Sequence, residues 1–132
     1  MSRISLFLLL SVFCQMLIAR PVTQAKVQEV LPRLILSKGL PAGEPGSIEP
    51  FQFTQKTAFY VVNLQPEGWM LVAADDAVAP VLAYSPTGRF YTDNQPEAMQ
   101  SWLTGYAKHL VEFDQSEQLP ANRLWTDVVY KS

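Results

Sequence analysis

The chain has 132 residues, 10 Lys and Arg against 12 Asp and Glu, one His, a formal net charge of −2 and 48% hydrophobic residues. That length supports one domain around one core, and mildly acidic, interspersed charge without a basic stripe argues against nucleic acid or an anionic membrane surface as partner. The one Cys, Cys14, lies in the first apolar segment, so the rest of the chain has no thiol for a nucleophile, a disulfide or a metal thiolate.

Met1 to Ala19 starts with Arg3, continues as a mostly apolar run from Ile4 interrupted by Ser5, Ser11 and Gln15, and closes on a small residue. The pattern predicts a signal peptide cleaved near Ala19. The run is short of the roughly 18 unbroken apolar residues of a spanning anchor, and the bulky Phe13 before Cys14 argues against lipidation, so no stable membrane anchor is expected. Cleavage removes 19 of the 132 residues, leaving a 113-residue domain, 20–132, with nine basic and twelve acidic residues and a net charge of −3.

Thr23 is placed to cap a helix in which Val27, Val30, Leu31, Leu34 and Ile35 recur at helical spacing, giving one apolar face. Pro32 inside that pattern predicts a kink or an end to its regular part, and Lys38-Gly39 supplies a terminus. Leu40 to Pro50, rich in Pro and Gly, reads as a loop, and Phe51-Gln52-Phe53-Thr54 alternates in the manner of a further strand.

Thr57 to Phe90 holds three apolar runs with no helix-length gap between them. The first two, Ala58 to Leu64 and Trp69 to Ala74, flank Gln65-Pro66-Glu67-Gly68, where Pro presets φ and Gly supplies the left-handed position. Asp75-Asp76 then breaks the run, and Ala79 to Tyr84 resumes it before Ser85-Pro86-Thr87-Gly88. Strand-turn-strand order of this kind predicts an antiparallel meander, because parallel strands need a crossover of about a dozen residues.

Phe90 to Gln95 is a polar connection, and Pro96 fits the first turn of a helix reaching Asp114. Met99, Trp102, Leu103, Tyr106, Leu110 and Phe113 form its apolar stripe, long enough to cross a four-stranded sheet. Leu124 to Tyr130 is β-prone, suited to a sheet edge or a partner. The fold class is therefore α+β: a single domain with an antiparallel meander sheet packed with two helices.

Few residues point to chemistry. His109 flanks the helical stripe and reads as a boundary or surface residue, with no second His or thiol beside it. Asp75 and Asp76 are adjacent, so on a strand they point to opposite faces, and they suit a turn better than paired acid and base. No phosphate loop, zinc spacing or Ser/His/Asp order stands out, so no catalytic residue, cofactor or metal is expected. Trp69 and Trp102 fit the core, whereas Trp125 is the least accounted for by internal packing and is the candidate interface anchor.

Gly68-Trp69-Met70-Leu71-Val72, Asp75-Asp76, Pro80-Val81-Leu82-Ala83-Tyr84-Ser85 and Gly88-Arg89-Phe90, followed by Trp102-Leu103 and Tyr106, together resemble the N-terminal prodomain of streptopain-type papain-like cysteine peptidases and the stand-alone Spi-type inhibitors similar to it. Ala73-Ala74 and Ala83 depart from the usual pattern, in which Gly is common. The resemblance implies a streptopain-type cysteine peptidase as partner and an inhibitor with no catalysis of its own. It also implies that the loop before the second helix, here Phe90, Tyr91, Thr92, Asp93, Asn94 and Gln95, reaches into the active site and disturbs the catalytic His of the peptidase. Pro96 is a local departure at its end. Two other functions remain open: a detached prodomain that assists folding and latency of its enzyme, and an exported binding module that shares only the fold. No Gln-x-Val-x-Gly loop of the cystatin kind is present.

Overall fold

The computed structural model describes residues 21–41, 44–116 and 122–130, without the side chains of 113–116, 126 and 128–130. The expected leader at 1–19, Cys14 and the side chain of Phe113 lie outside the described residues.

Helix α1, Gln24–Ser37, begins where the sequence predicts: Thr23 is extended, and its hydroxyl accepts from the Lys26 amide at 3.2 Å. It ends in a Schellman arrangement. Gly39 takes φ +64°, its amide donates to the Leu36 carbonyl, and the Leu40 amide donates to the Ile35 carbonyl while the Leu40 side chain is buried. Pro32 neither ends nor interrupts α1. Its ring is on the exposed side, and the helix is fixed by the buried Val27, Val30, Leu31, Leu34 and Ile35.

Four strands follow, β1 Glu44–Phe53, β2 Lys56–Gln65, β3 Trp69–Ala73 and β4 Val81–Ser85. They form an antiparallel sheet in chain order. The three meander strands fall where the apolar runs predict them. The sequence expectation of a loop across Leu40 to Pro50 is corrected, since Glu44 to Pro50 is strand. Pro45 and Pro50 are tolerated because β1 is an edge strand with one side free of ladder bonds. Gly46 sits in a bulge where a Cβ would lie 3.1 Å from the Asn63 carbonyl oxygen.

Because β2 lies inside the sheet, both its faces are covered. Tyr60, Val62 and Leu64 join Met70 and Val72 under α1, whereas Phe59 and Val61 join Leu71 on the other face. That second face is covered by α2, Glu97–Ser116, through Leu103, Ala107 and Val111. Pro96 immediately precedes the helix rather than opening it, and its carbonyl accepts from the Gln100 amide.

The expected stripe on α2 is rotated from the true one. Leu103 is buried and Leu110 and Tyr106 are half-buried, but Met99 and Trp102 are exposed, and Ala107 and Val111 take the central places. Trp102, 52% exposed, is not a core residue. It precedes Leu103 by one position, about 100° around the helix, which puts it beside the contact.

The C-terminal segment is also corrected. Arg123–Tyr130 is a helix, α3, because Asn122 caps it: its side-chain oxygen accepts from the Leu124 amide at 2.9 Å and its carbonyl from the Trp125 amide at 3.0 Å. Three helices, rather than two, accompany the sheet among the described residues. The class remains α+β in one small domain. None of these helices is long and apolar enough to cross a membrane.

Candidate functional site

The connection from β4 to α2 is built on two turns packed together. Gly68, at φ +105°, closes the β2–β3 turn, and the Leu64 amide donates to its carbonyl at 2.8 Å. A Cβ on Gly68 would meet the Ser85 carbonyl oxygen at 3.1 Å, so only Gly allows β4 to leave the sheet so close to this turn. The Gly68 amide in turn donates to the Gly88 carbonyl at 2.8 Å. Gly88 itself takes φ +74°, directing the chain back toward β2.

Phe90 is fastened there. Asn63, a buried polar side chain on β2, accepts from the Phe90 amide at 2.8 Å and donates to the Phe90 carbonyl at 3.0 Å. The Phe90 ring packs on Trp69 with centroids 4.9 Å apart. Phe90 is therefore the anchor of the 90–95 segment rather than part of its tip. Asn63 was not singled out in the sequence, where it falls inside an apolar strand run.

Beyond this clamp the chain turns outward. Tyr91 is 56% exposed, Asp93 and Asn94 are exposed, and Thr92 and Gln95 are half-buried. Asn94 takes φ +55°, a left-handed conformation that Asn accepts more readily than most residues. The far end is held by side-chain amides: Gln95 donates to the Tyr91 carbonyl, and Gln100 on α2 donates to the Gln95 carbonyl at 2.9 Å. The loop thus projects Tyr91 to Asn94 between two fixed ends. Such pre-organisation lowers the entropy lost on binding.

The remaining candidates are structural. Asp75 accepts from the Ala77 amide at 2.8 Å through its side chain and bridges Pro21, and the Asp76 carbonyl accepts from the Asn122 amide, so the acidic pair organises the β3–β4 connection. His109 is exposed on α2. Among the described residues no cluster of His, Cys, Asp and Glu is arranged to hold a metal ion. Trp125 is the clear correction: it is 4% exposed, and its indole donates to the Val78 carbonyl at 2.7 Å, so it anchors α3 instead of offering a surface. Its neighbour Leu124 is exposed and lines an open groove with Leu36, Pro80 and Val81.

The described residues thus form a small antiparallel sheet with helices on both faces and a braced loop between β4 and α2. The chain belongs to the Spi protease inhibitor family, whose model matches residues 23–110, from the α1 cap through most of α2. It is also similar to the thiol protease/hemagglutinin PrtT of Porphyromonas gingivalis, with 29% identity over 119 residues. That match covers 84% of this chain but 14% of the relative, so the chain spans about one seventh of that protein's length. No solved structure matches significantly. The family is described as one of protease inhibitors, and the relative is a thiol protease.

Proposed function

We propose that the chain is an exported inhibitor of a streptopain-type cysteine peptidase and that Phe90 to Gln95 occludes the active-site cleft. The observation that carries this reading is the loop clamped at Asn63–Phe90 and at Gln95–Gln100, with Tyr91, Asp93 and Asn94 exposed between. Inhibition of this kind needs no reactive group in the inhibitor. Filling the cleft excludes substrate and holds the catalytic Cys and His of the peptidase out of hydrogen-bond geometry. Affinity comes from a complementary surface presented at low entropic cost.

Titration of the purified 20–132 domain against streptopain, PrtT and papain tests the proposal. Stoichiometric inhibition of either of the first two, with papain spared, is the expected result; inhibition of none reduces the chain to a binding module. Export is part of the same reading: the secreted product is expected to start just after Ala19 by mass spectrometry, and an intact Met1 terminus retained in the membrane rejects it.

A second reading, a prodomain that assists folding and latency, is favoured by the similarity of this segment to part of a much longer thiol protease. It predicts that the domain accelerates refolding of the denatured peptidase when added in trans. A pure inhibitor leaves the refolding yield unchanged.

A further inference from the structure

We infer that the fold retains both ends of the 90–95 loop after the loop itself is cut: scission of the Thr92–Asp93 bond leaves the chain assembled, and the nicked chain goes on inhibiting. Retention of the ends stands on the fold alone. Continued inhibition rests on the inhibitor reading above.

An inhibitor of a peptidase is exposed to peptidases, and exposed polar loop tips are where chains are nicked. Asp93 and Asn94 form such a tip. The cut is a hydrolysis in which water adds across the amide bond, Thr92 keeping the new carboxylate and Asp93 gaining the new ammonium. Because Asp93 is exposed and Thr92 only half-buried, these charges form within reach of water and carry no large desolvation cost.

Contacts on each side of the cut, and one across it, hold the ends. Two residues before the cut, Phe90 is fixed by its two bonds to Asn63 and by its ring on Trp69. Two residues after it, the Gln95 carbonyl accepts from Gln100 on α2 at 2.9 Å. The Gln95 side chain also donates to the Tyr91 carbonyl, so the severed bond lies inside a ring that this hydrogen bond closes.

The larger restraint is the fold itself. Scission gives 20–92, which keeps α1 and all four strands, and 93–132, which keeps α2 and α3. The second piece is seated on both faces of the sheet. Leu103, Ala107 and Val111 are buried with Phe59, Val61 and Leu71 on one face, whereas Trp125 is buried in the α1 cluster on the other. The Trp125 indole donates to the Val78 carbonyl at 2.7 Å, and the Asn122 amide donates to the Asp76 carbonyl. Departure of this piece exposes apolar surface on two faces at once, which opposes it.

The test nicks the folded 20–132 domain with an endopeptidase that cuts on the amino side of Asp, using Asp93→Ala to show which products need that bond. The same nicked molecule is also made by co-expressing 20–92 and 93–132. Two pieces on denaturing electrophoresis, one species at the parent elution volume on size exclusion, and inhibition of streptopain or PrtT within about 3-fold of the intact chain are expected. Pieces that separate on size exclusion overturn the inference. So does a nicked chain that co-elutes but inhibits more than about 10-fold worse than the intact one, because its ends have then moved. In Gln100→Ala, which lacks the far tether, nicking is expected to weaken inhibition at least about 10-fold more than it does in the parent; an equal effect overturns the role of the tether. An intact chain that inhibits neither enzyme overturns the inhibitor reading instead, and co-elution alone then decides whether the cut ends are retained.

Discussion

The side-chain amide of Asn63 satisfies both backbone groups of Phe90, 27 residues further along the chain, accepting from its amide at 2.8 Å and donating to its carbonyl at 3.0 Å. It replaces the strand ladder that β4 has already left, and it fixes where the 90–95 loop departs from the domain. Asn63→Ala leaves two partly buried backbone groups unpaired. The expected loss is about 2–3 kcal/mol in a denaturant melt. Inhibition is expected to fall with it even at temperatures where the variant is fully folded, because the loop loses its fixed end. Unchanged stability would show that water replaces the amide without penalty.

The loop tip separates binding from folding. Tyr91 is exposed with no core contact, so Tyr91→Ala is expected to stay within about 0.5 kcal/mol of the parent. Asn94 needs more care, since its φ of +55° makes Asn94→Ala a strained substitution costing about 1 kcal/mol. Asn94→Gly removes the side chain and keeps the conformation. Both Tyr91→Ala and Asn94→Gly are expected to weaken inhibition at least about 10-fold with near-parent melts. Parent-like inhibition constants for the pair reject the loop as the inhibitory element.

How much of this was legible depended on the range of the interaction concerned. Thr23 and Gly39 act on their own neighbours, so the ends of α1 could be read directly. The meander was legible for the same reason, from apolar runs and short turns. Pro45 and Pro50 misled because their turn-forming bias holds only where a strand needs both edges, and β1 needs one. Leu124 to Tyr130 has β-prone composition, but Asn122 and the spacing of Leu124, Trp125, Val128 and Val129 are the signals of a capped helix. The Asn63–Phe90 clamp had no local signature at all, since the partners meet only after the sheet has formed. Resemblance alone marks the 90–95 segment in the sequence, and its two-ended bracing arises only from contacts made in the folded chain.

The two tryptophans differ in burial in the opposite sense to the sequence expectation, Trp102 being 52% exposed and Trp125 4%, which makes a direct comparison. Trp125 is 4% exposed and donates its indole N–H to the Val78 carbonyl, so Trp125→Ala creates a cavity and an orphaned acceptor. The expected cost is about 3–5 kcal/mol, a large part of a typical domain's stability. Trp102→Ala removes a half-exposed ring stacked on Tyr106, and its cost is expected to be about 1 kcal/mol. Thermal melts of both variants check the order. A larger loss for Trp102→Ala than for Trp125→Ala contradicts the packing described for α2 and α3.

Alkaline pH probes the other face of the sheet. Burial raises the Tyr60 phenol above its usual value of 10.0, and its hydroxyl donates to the Val22 carbonyl at 2.7 Å, tying the segment before α1 to β2. Burial raises Tyr106 as well. The folded chain therefore holds these protons more tightly than the unfolded chain. Their contribution to stability is fully present below about pH 10 and is lost as pH rises from there through the raised folded values. Tyr60→Phe is expected to cost about 1 kcal/mol at neutral pH through the lost hydrogen bond. Above pH 10 the gap to the parent should narrow, because Phe has no proton to lose. Melts of both proteins across pH 8 to about 11 measure this; a constant gap would mean that the Tyr60 phenol titrates alike in the folded and unfolded chains, and a widening gap that folding lowers its pKa, either of which contradicts the burial effect.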